Sequence, residues 1–100
     1  MYHYTIKLGL TSNDLQQKWD YATAERVVAQ RLKLLGFIGA SFSYARGYWK
    51  GNIEDTLIVD IYDLESKGAI VEDLCKGLKI DFFQEAVLLN ARPALETLFI

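Results

Sequence analysis

A chain of 100 residues, 51% of them hydrophobic, can bury one core, and its length is close to the common domain size. Its net charge of −2 and pI near 5.3 argue against a dedicated nucleic-acid binder, whose footprint would be basic. Its one cysteine excludes an intramolecular disulfide and fits a reducing compartment. The start, Met1-Tyr-His-Tyr-Thr-Ile-Lys7, lacks the apolar centre of a signal peptide. No apolar run approaches the ~20 residues that span a bilayer. The composition therefore predicts a soluble cytoplasmic protein with no membrane partner.

In chain order, Tyr2 to Leu10 reads as a strand. Tyr4, Ile6, Leu8 and Leu10 share its apolar face, and His3, Thr5 and Lys7 share the other. Gly9 and Thr11-Ser-Asn-Asp14 break it. A helix is expected from Asp20, a good N-cap, with an extra turn beginning at Asn13 or Asp14 as the alternative. Ala24, Val28, Leu32 and Leu35 give its stripe, Val27 and Leu34 widen it, and Gly36 stands where a glycine cap belongs.

The stretch Tyr44 to Tyr62 reads as a β-hairpin. Along the first arm, Ser41 to Trp49, Phe42, Tyr44, Arg46 and Tyr48 share one face. Ser43, Ala45, Gly47 and Trp49 share the other. Lys50-Gly51-Asn52 supplies turn chemistry, and Gly47 suggests a bulge or a close approach. In the second arm, Thr56 to Tyr62, Leu57, Val59 and Ile61 form a wholly apolar face. Ile58, Asp60 and Tyr62 lie opposite. Ser66 is the expected cap of a second helix over Lys67 to Leu78, with Ile70, Leu74 and Leu78 inward. Asp81 to Gln84 connects it to a last strand, Glu85 to Asn90, which Pro93 ends. Residues 93–100 form an apolar tail.

The order β-α-β-β-α-β predicts a single α+β, ferredoxin-like domain over residues 1–100. Its four-stranded antiparallel sheet would carry both helices on one face. The other face is left open, and Ile58, Tyr62 and Leu88 should point there. With Leu95, Leu98, Phe99 and Ile100 of the tail, it makes an apolar surface of the kind that copies bury against each other. A homo-oligomer follows, a dimer in preference to a trimer, with Ile58, Leu88 and the tail residues at its interface.

Gly47-Tyr-Trp-Lys-Gly51, Glu54-Asp-Thr-Leu-Ile-Val-Asp-Ile61 and Phe83-Gln-Glu-Ala-Val-Leu88 together resemble a group of small bacterial and phage proteins of unknown function. The hairpin Tyr48-Trp-Lys-Gly-Asn-Ile-Glu-Asp55 resembles, more weakly, that of the CutA family, trimeric ferredoxin-like relatives of the PII signalling proteins. That family's cysteine-containing second strand and its Lys-Thr strand end are absent, so the resemblance implies fold and sheet-edge assembly and not metal binding.

The catalytic inventory is thin. His3 is the one histidine and reads as an exposed strand residue. Cys75 reads as a small apolar residue near the core. No catalytic residue, metal ligand set or cofactor site is predicted. Glu54, Asp55, Asp60 and Asp63 make an acidic series. The first two read as a solvated turn, or as a hairpin brace if Glu54 pairs with Lys50 or Arg46. Binding falls to the hairpin and open face: Tyr44, Arg46, Tyr48, Trp49, Lys50, Glu54, Asp60 and Tyr62. The aromatics are also of the kind that stack single-stranded bases, but no RNP pattern accompanies them. The favoured function is a non-catalytic assembly or protein-binding module, encoded by a phage or mobile element. A PII-like sensor of a small molecule or nucleotide is the alternative, and a small dimeric α+β-barrel enzyme the third reading.

Overall fold

The computed structural model describes residues 2–12 and 16–93. Eight elements follow in order: β1 Tyr2–Gly9, β2 Thr11–Ser12, β3 Gln17–Lys18, α1 Tyr21–Leu34, β4 Gly39–Trp49, β5 Asn52–Asp63, α2 Gly68–Asp81 and β6 Leu88–Pro93. The four long strands form one sheet in the order β4-β5-β1-β6, each pair of neighbours antiparallel. This is the α+β ferredoxin-like arrangement. The long strand before each helix and the strand after it lie in this sheet with one strand between them: β5 between β1 and β4, and β1 between β5 and β6.

Burial follows the alternation of the strands. Tyr4, Ile6 and Leu8 of β1 stand opposite Ile61, Val59 and Leu57 of β5, and all six are buried. Ala24, Val28 and Leu32 of α1 and Val71, Leu74, Cys75 and Leu78 of α2 complete the same core. Asp20 caps α1 by accepting the Thr23 N–H at 2.7 Å, and Gly36 takes the left-handed conformation after its end. The β4–β5 turn is two residues, Lys50 and Gly51, both with positive φ (47° and 85°). That is the mirror-image turn whose twist suits a hairpin.

Several expectations are corrected. α2 runs on to Asp81, and its buried stripe is Val71, Leu74, Cys75 and Leu78. Ile70 is 38% exposed, because a strict four-residue spacing drifts around a helix of 3.6 residues per turn. Lys67, not Ser66, precedes that helix, and its N–H donates to the Tyr4 hydroxyl at 2.8 Å. Leu34 and Leu35 lie outside the α1 stripe and are exposed. Gly47 makes no bulge, since the β4–β5 register runs through it unbroken; the close approach holds, with a Cβ there falling 2.6 Å from Thr56 Oγ1. The last strand begins at Leu88 rather than Glu85, and Thr11-Ser12 pairs with Gln17-Lys18 as a small ribbon. Asp63 belongs to the fold rather than to a site: it accepts the Glu65 N–H at 3.0 Å and lies 3.0 Å from Lys67 Nζ. The alternative helix start at Asn13 or Asp14, and the tail residues Leu95, Leu98, Phe99 and Ile100, lie outside the described residues.

Candidate functional site

The hairpin turn, the end of β1 and the segment between α2 and β6 meet at one end of the sheet. Between them run two adjoining cavities. One, of about 180 Å³, is lined by Thr11, Ser12, Trp49, Lys50, Asn52, Glu54, Phe83, Gln84 and Glu85. The other, of about 260 Å³, adds Lys7, Gly47, Tyr48, Thr56, Ala86 and Leu88 on the open face. Trp49, Glu54, Gln84 and Glu85 belong to both, so the two form one cleft.

Local structure explains how these side chains arrive there. The tight turn puts Trp49 and Lys50 at the tip of a long ribbon. Glu85 reaches them from the far side: its Oε2 lies 2.9 Å from Lys50 Nζ and accepts the Trp49 indole N–H at 3.2 Å. Phe82 is buried with its ring edge-to-face on Trp19, while Phe83 turns outward with φ 49° and is 58% exposed. A left-handed phenylalanine is a strained conformation, of the kind that collects at functional sites. Gln84 then donates to the carbonyls of Thr11 at 3.0 Å and Phe82 at 2.9 Å, which ties this segment to the end of β1.

The two carboxyl groups of the cleft differ. Partial burial pushes the Glu54 pKa up, against the opposing effect of a hydrogen bond from the Thr11 N–H. Hydrogen bonds from Lys50 and then Trp49 hold Glu85 below the usual range. The two groups therefore differ in partner: Glu85 is committed to Lys50 and Trp49, and Glu54 to a backbone amide. The expected brace between Glu54 and Lys50 or Arg46 is thereby corrected. Lys50 bonds Glu85 instead, and Glu54 takes the backbone N–H of Thr11.

Of the sequence-predicted binding residues, the structure brings Tyr48, Trp49, Lys50 and Glu54 into the cleft. It places Tyr44 elsewhere, against α1, with its ring 4.4 Å from that of Tyr21 and its hydroxyl on Glu25. Arg46 stands across from Asp55, exposed on the same side of the ribbon. The aromatics of β4 are thus split between the two faces and form no continuous stacking platform. Asp60 and Tyr62 lie further along β5, away from the turn. Asp60 accepts the Thr5 hydroxyl at 2.7 Å and lies 2.8 Å from His3 Nε2; Tyr62 stacks on the His3 ring at 4.4 Å. His3 is consequently 8% exposed, not an exposed strand residue. Ile58 is half-buried on the open face, and Leu88 is exposed there.

Cys75 lies on the helix side of the sheet and His3 on the other, so they do not form a nucleophilic pair. Burial pushes the Cys75 thiol up to about 11. Among the described residues no three His, Cys, Asp or Glu side chains cluster as metal ligands, and no helix is long and apolar enough to cross a membrane. Sequence reasoning missed Thr11, Ser12, Phe83, Gln84 and Glu85 as cleft residues. For Phe83, Gln84 and Glu85 the signal was present in Phe83-Gln-Glu-Ala-Val-Leu88, whose first three residues line the same cleft as the Gly47-Tyr-Trp-Lys-Gly51 turn; Thr11 and Ser12 had none.

No family model and no curated protein matches this chain. Solved structures do. The chain is similar to a phage SAM lyase in complex with S-methyl-5'-thioadenosine, with 27% identity and a TM-score of 0.77 over 91% of this chain and 79% of that one. The same lyase in its apo state gives 26% identity and a TM-score of 0.77 over 91% and 78% of the two chains. A point variant of CutA1 from Pyrococcus horikoshii OT3 follows at 21% identity and a TM-score of 0.55, covering 97% and 86%. It shares the fold, in keeping with the CutA-like hairpin.

Proposed function

We propose that this chain binds S-adenosylmethionine in the cleft and cleaves it, releasing S-methyl-5'-thioadenosine. The observation that carries this reading is the likeness to the phage SAM lyase over nine-tenths of the chain. The cleft suits such a ligand. Trp49 and Phe83, 39% and 58% exposed, offer aromatic faces to an adenine. Glu54, whose hydrogen bond comes from a backbone N–H rather than a cation, is the carboxylate free to take the ligand's ammonium group.

The chemistry asks little of the protein. The substrate's own carboxylate oxygen bonds to the γ-carbon of its amino-acid arm, and the γ-carbon–sulfur bond breaks. The bonding pair goes to sulfur, which turns the sulfonium into the neutral thioether of S-methyl-5'-thioadenosine. The remainder closes as a five-membered lactone. No proton is gained or lost and no water is consumed. The other anhydrous route removes a proton from an unactivated carbon, for which a glutamate is too weak a base. Ring closure needs orientation, and a partly dry cleft favours it because opposite charges of the substrate are neutralised in the transition state. Glu54 contributes by holding the ammonium group, so that the carboxylate is turned toward the γ-carbon.

The test is incubation of the pure protein with S-adenosylmethionine and chromatography of the products. Stoichiometric thioadenosine and lactone are expected, with Glu54→Gln largely inactive. An unchanged substrate pool would overturn the reading and return the chain to the non-catalytic assembly role. Self-association is compatible with both. Leu88 at 57% exposure and half-buried Ile58 give the open face an apolar surface, and a dimer is the inferred state.

A further inference from the structure

We propose that Gly9 is a positioning residue: its missing side chain is the seat of the Glu54 carboxylate. The inference rests on the reading of the cleft given above, and it can be tested apart from it. Gly9 is the last residue of β1 and stands opposite Thr56 in the register with β5. Unlike Gly36 and Gly51, it is not in the left-handed region, so its backbone does not demand a glycine. Space does. A Cβ at this position would fall 2.8 Å from the Glu54 carboxyl carbon and 2.9 Å from Gln84 Oε1. Real side chains do not approach so closely, and the three nearest atoms all belong to these two cleft residues.

The neighbouring backbone completes the seat. Thr11, two residues on, gives its N–H to Glu54 and its carbonyl to Gln84 Nε2 at 3.0 Å. The carboxylate is therefore laid back over the end of β1, partly out of water, where the chain's amide meets it. A methyl group at residue 9 would push it toward solvent and off that N–H. The displaced atoms are the far ends of flexible side chains, so the fold would survive the change. Gly9 touches no ligand in this account; it acts through Glu54.

The test uses the full chain with Gly9→Ala, Glu54→Asp and both together. Three quantities are read: the Glu54 carboxyl titration by carbon-13 NMR, calorimetric binding of S-methyl-5'-thioadenosine, and thioadenosine formation. Gly9→Ala is expected to keep a cooperative unfolding transition, to bring the Glu54 titration back toward that of an ordinary glutamate, and to slow cleavage by about 10- to 100-fold, the scale of a misplaced orienting group. Its acid limb in the pH–rate profile should move the same way. Shortening the acid by one methylene makes room beside the new methyl. The double variant should thus lose much less than the product of the two single losses. An unchanged Glu54 titration in Gly9→Ala, or losses that multiply in the double variant, would overturn the proposal. If the unaltered protein leaves S-adenosylmethionine intact, the functional reading fails, and the titration still decides the role of Gly9.

Discussion

Phe82 and Phe83 are adjacent, chemically identical, and should answer substitution in opposite ways. Phe82 is 2% exposed and meets Trp19 edge-to-face at 5.3 Å. Truncating a buried phenylalanine to alanine costs about 3–5 kcal/mol, a large part of the ~5–15 kcal/mol that holds a domain of this size together. At roughly 4–8 °C per kcal/mol, Phe82→Ala should lower the midpoint of thermal unfolding by at least about 12 °C. Phe83 is 58% exposed, with φ 49° and its ring 6.2 Å from Trp19. Phe83→Gly would lose about 0.5–1.5 kcal/mol of ring contact. It would also lose ~0.5–1 kcal/mol to backbone freedom, and recover ~1–2 kcal/mol of left-handed strain. The net change should lie within about 1.5 kcal/mol of zero. Binding of S-methyl-5'-thioadenosine should nevertheless weaken by about tenfold, because stacking of a base on an aromatic ring contributes roughly 1–3 kcal/mol. Scanning calorimetry and titration calorimetry on both variants measure these outcomes. If Phe83→Gly lowers the midpoint by more than half as much as Phe82→Ala, the division of labour between anchor and ligand platform is refuted.

The remaining expectations are these. Glu54 has a folded pKa above its ordinary 4.5, so the folded chain retains a proton that the unfolded chain has released. Stability from this group falls as pH rises from about 4.5 to the folded pKa and stays lower above it. Glu54→Gln should remove that slope and raise the denaturation midpoint near pH 8, while cutting thioadenosine formation by about 100-fold. Cys75, with a thiol pKa of about 11, should be roughly one part in a thousand thiolate near pH 8 and react sluggishly with iodoacetamide in the folded chain; alanine there, or at His3, should leave cleavage intact. Light scattering should find the full chain dimeric. A full-length monomer would refute the assembly, and an oligomer that persists in a chain ending at Arg92 would assign it to the sheet face rather than the tail.

The fold was legible because its signals are periodic and local. Leu57, Val59 and Ile61 alternate so cleanly that their inner face follows from spacing alone, and all three are fully buried. Asp20 and Gly36 mark the ends of α1 by cap chemistry that needs no tertiary context. Where the reading slipped, a tertiary contact had outweighed the local signal. Ser66 is a better cap than Lys67 in isolation, but the Tyr4 hydroxyl reaches across from β1 to receive the Lys67 N–H. His3 sits on the face of β1 away from the core, so alternation alone leaves it in water, yet Asp60, Thr5 and Tyr62 enclose it.

The cleft was only half legible, and the reason is physical. Its residues come from the end of β1, the hairpin turn and the entry to β6, and no periodicity links segments so far apart. Glu54 beside a turn reads as a solvated acid. It becomes a partly desolvated one because its carboxylate lies over Gly9, where no side chain stands in the way, and takes the Thr11 N–H. A count of nucleophiles and histidines is also a poor guide to this class of chemistry. A substrate that carries its own carboxylate nucleophile and a sulfonium leaving group needs from the protein a shape, an aromatic wall and one placed charge. On the proposed reading, Trp49, Phe83 and Glu54 would supply those. A thin catalytic inventory therefore argues against enzymes that must create a nucleophile, and it leaves open those that only have to bend their substrate onto itself.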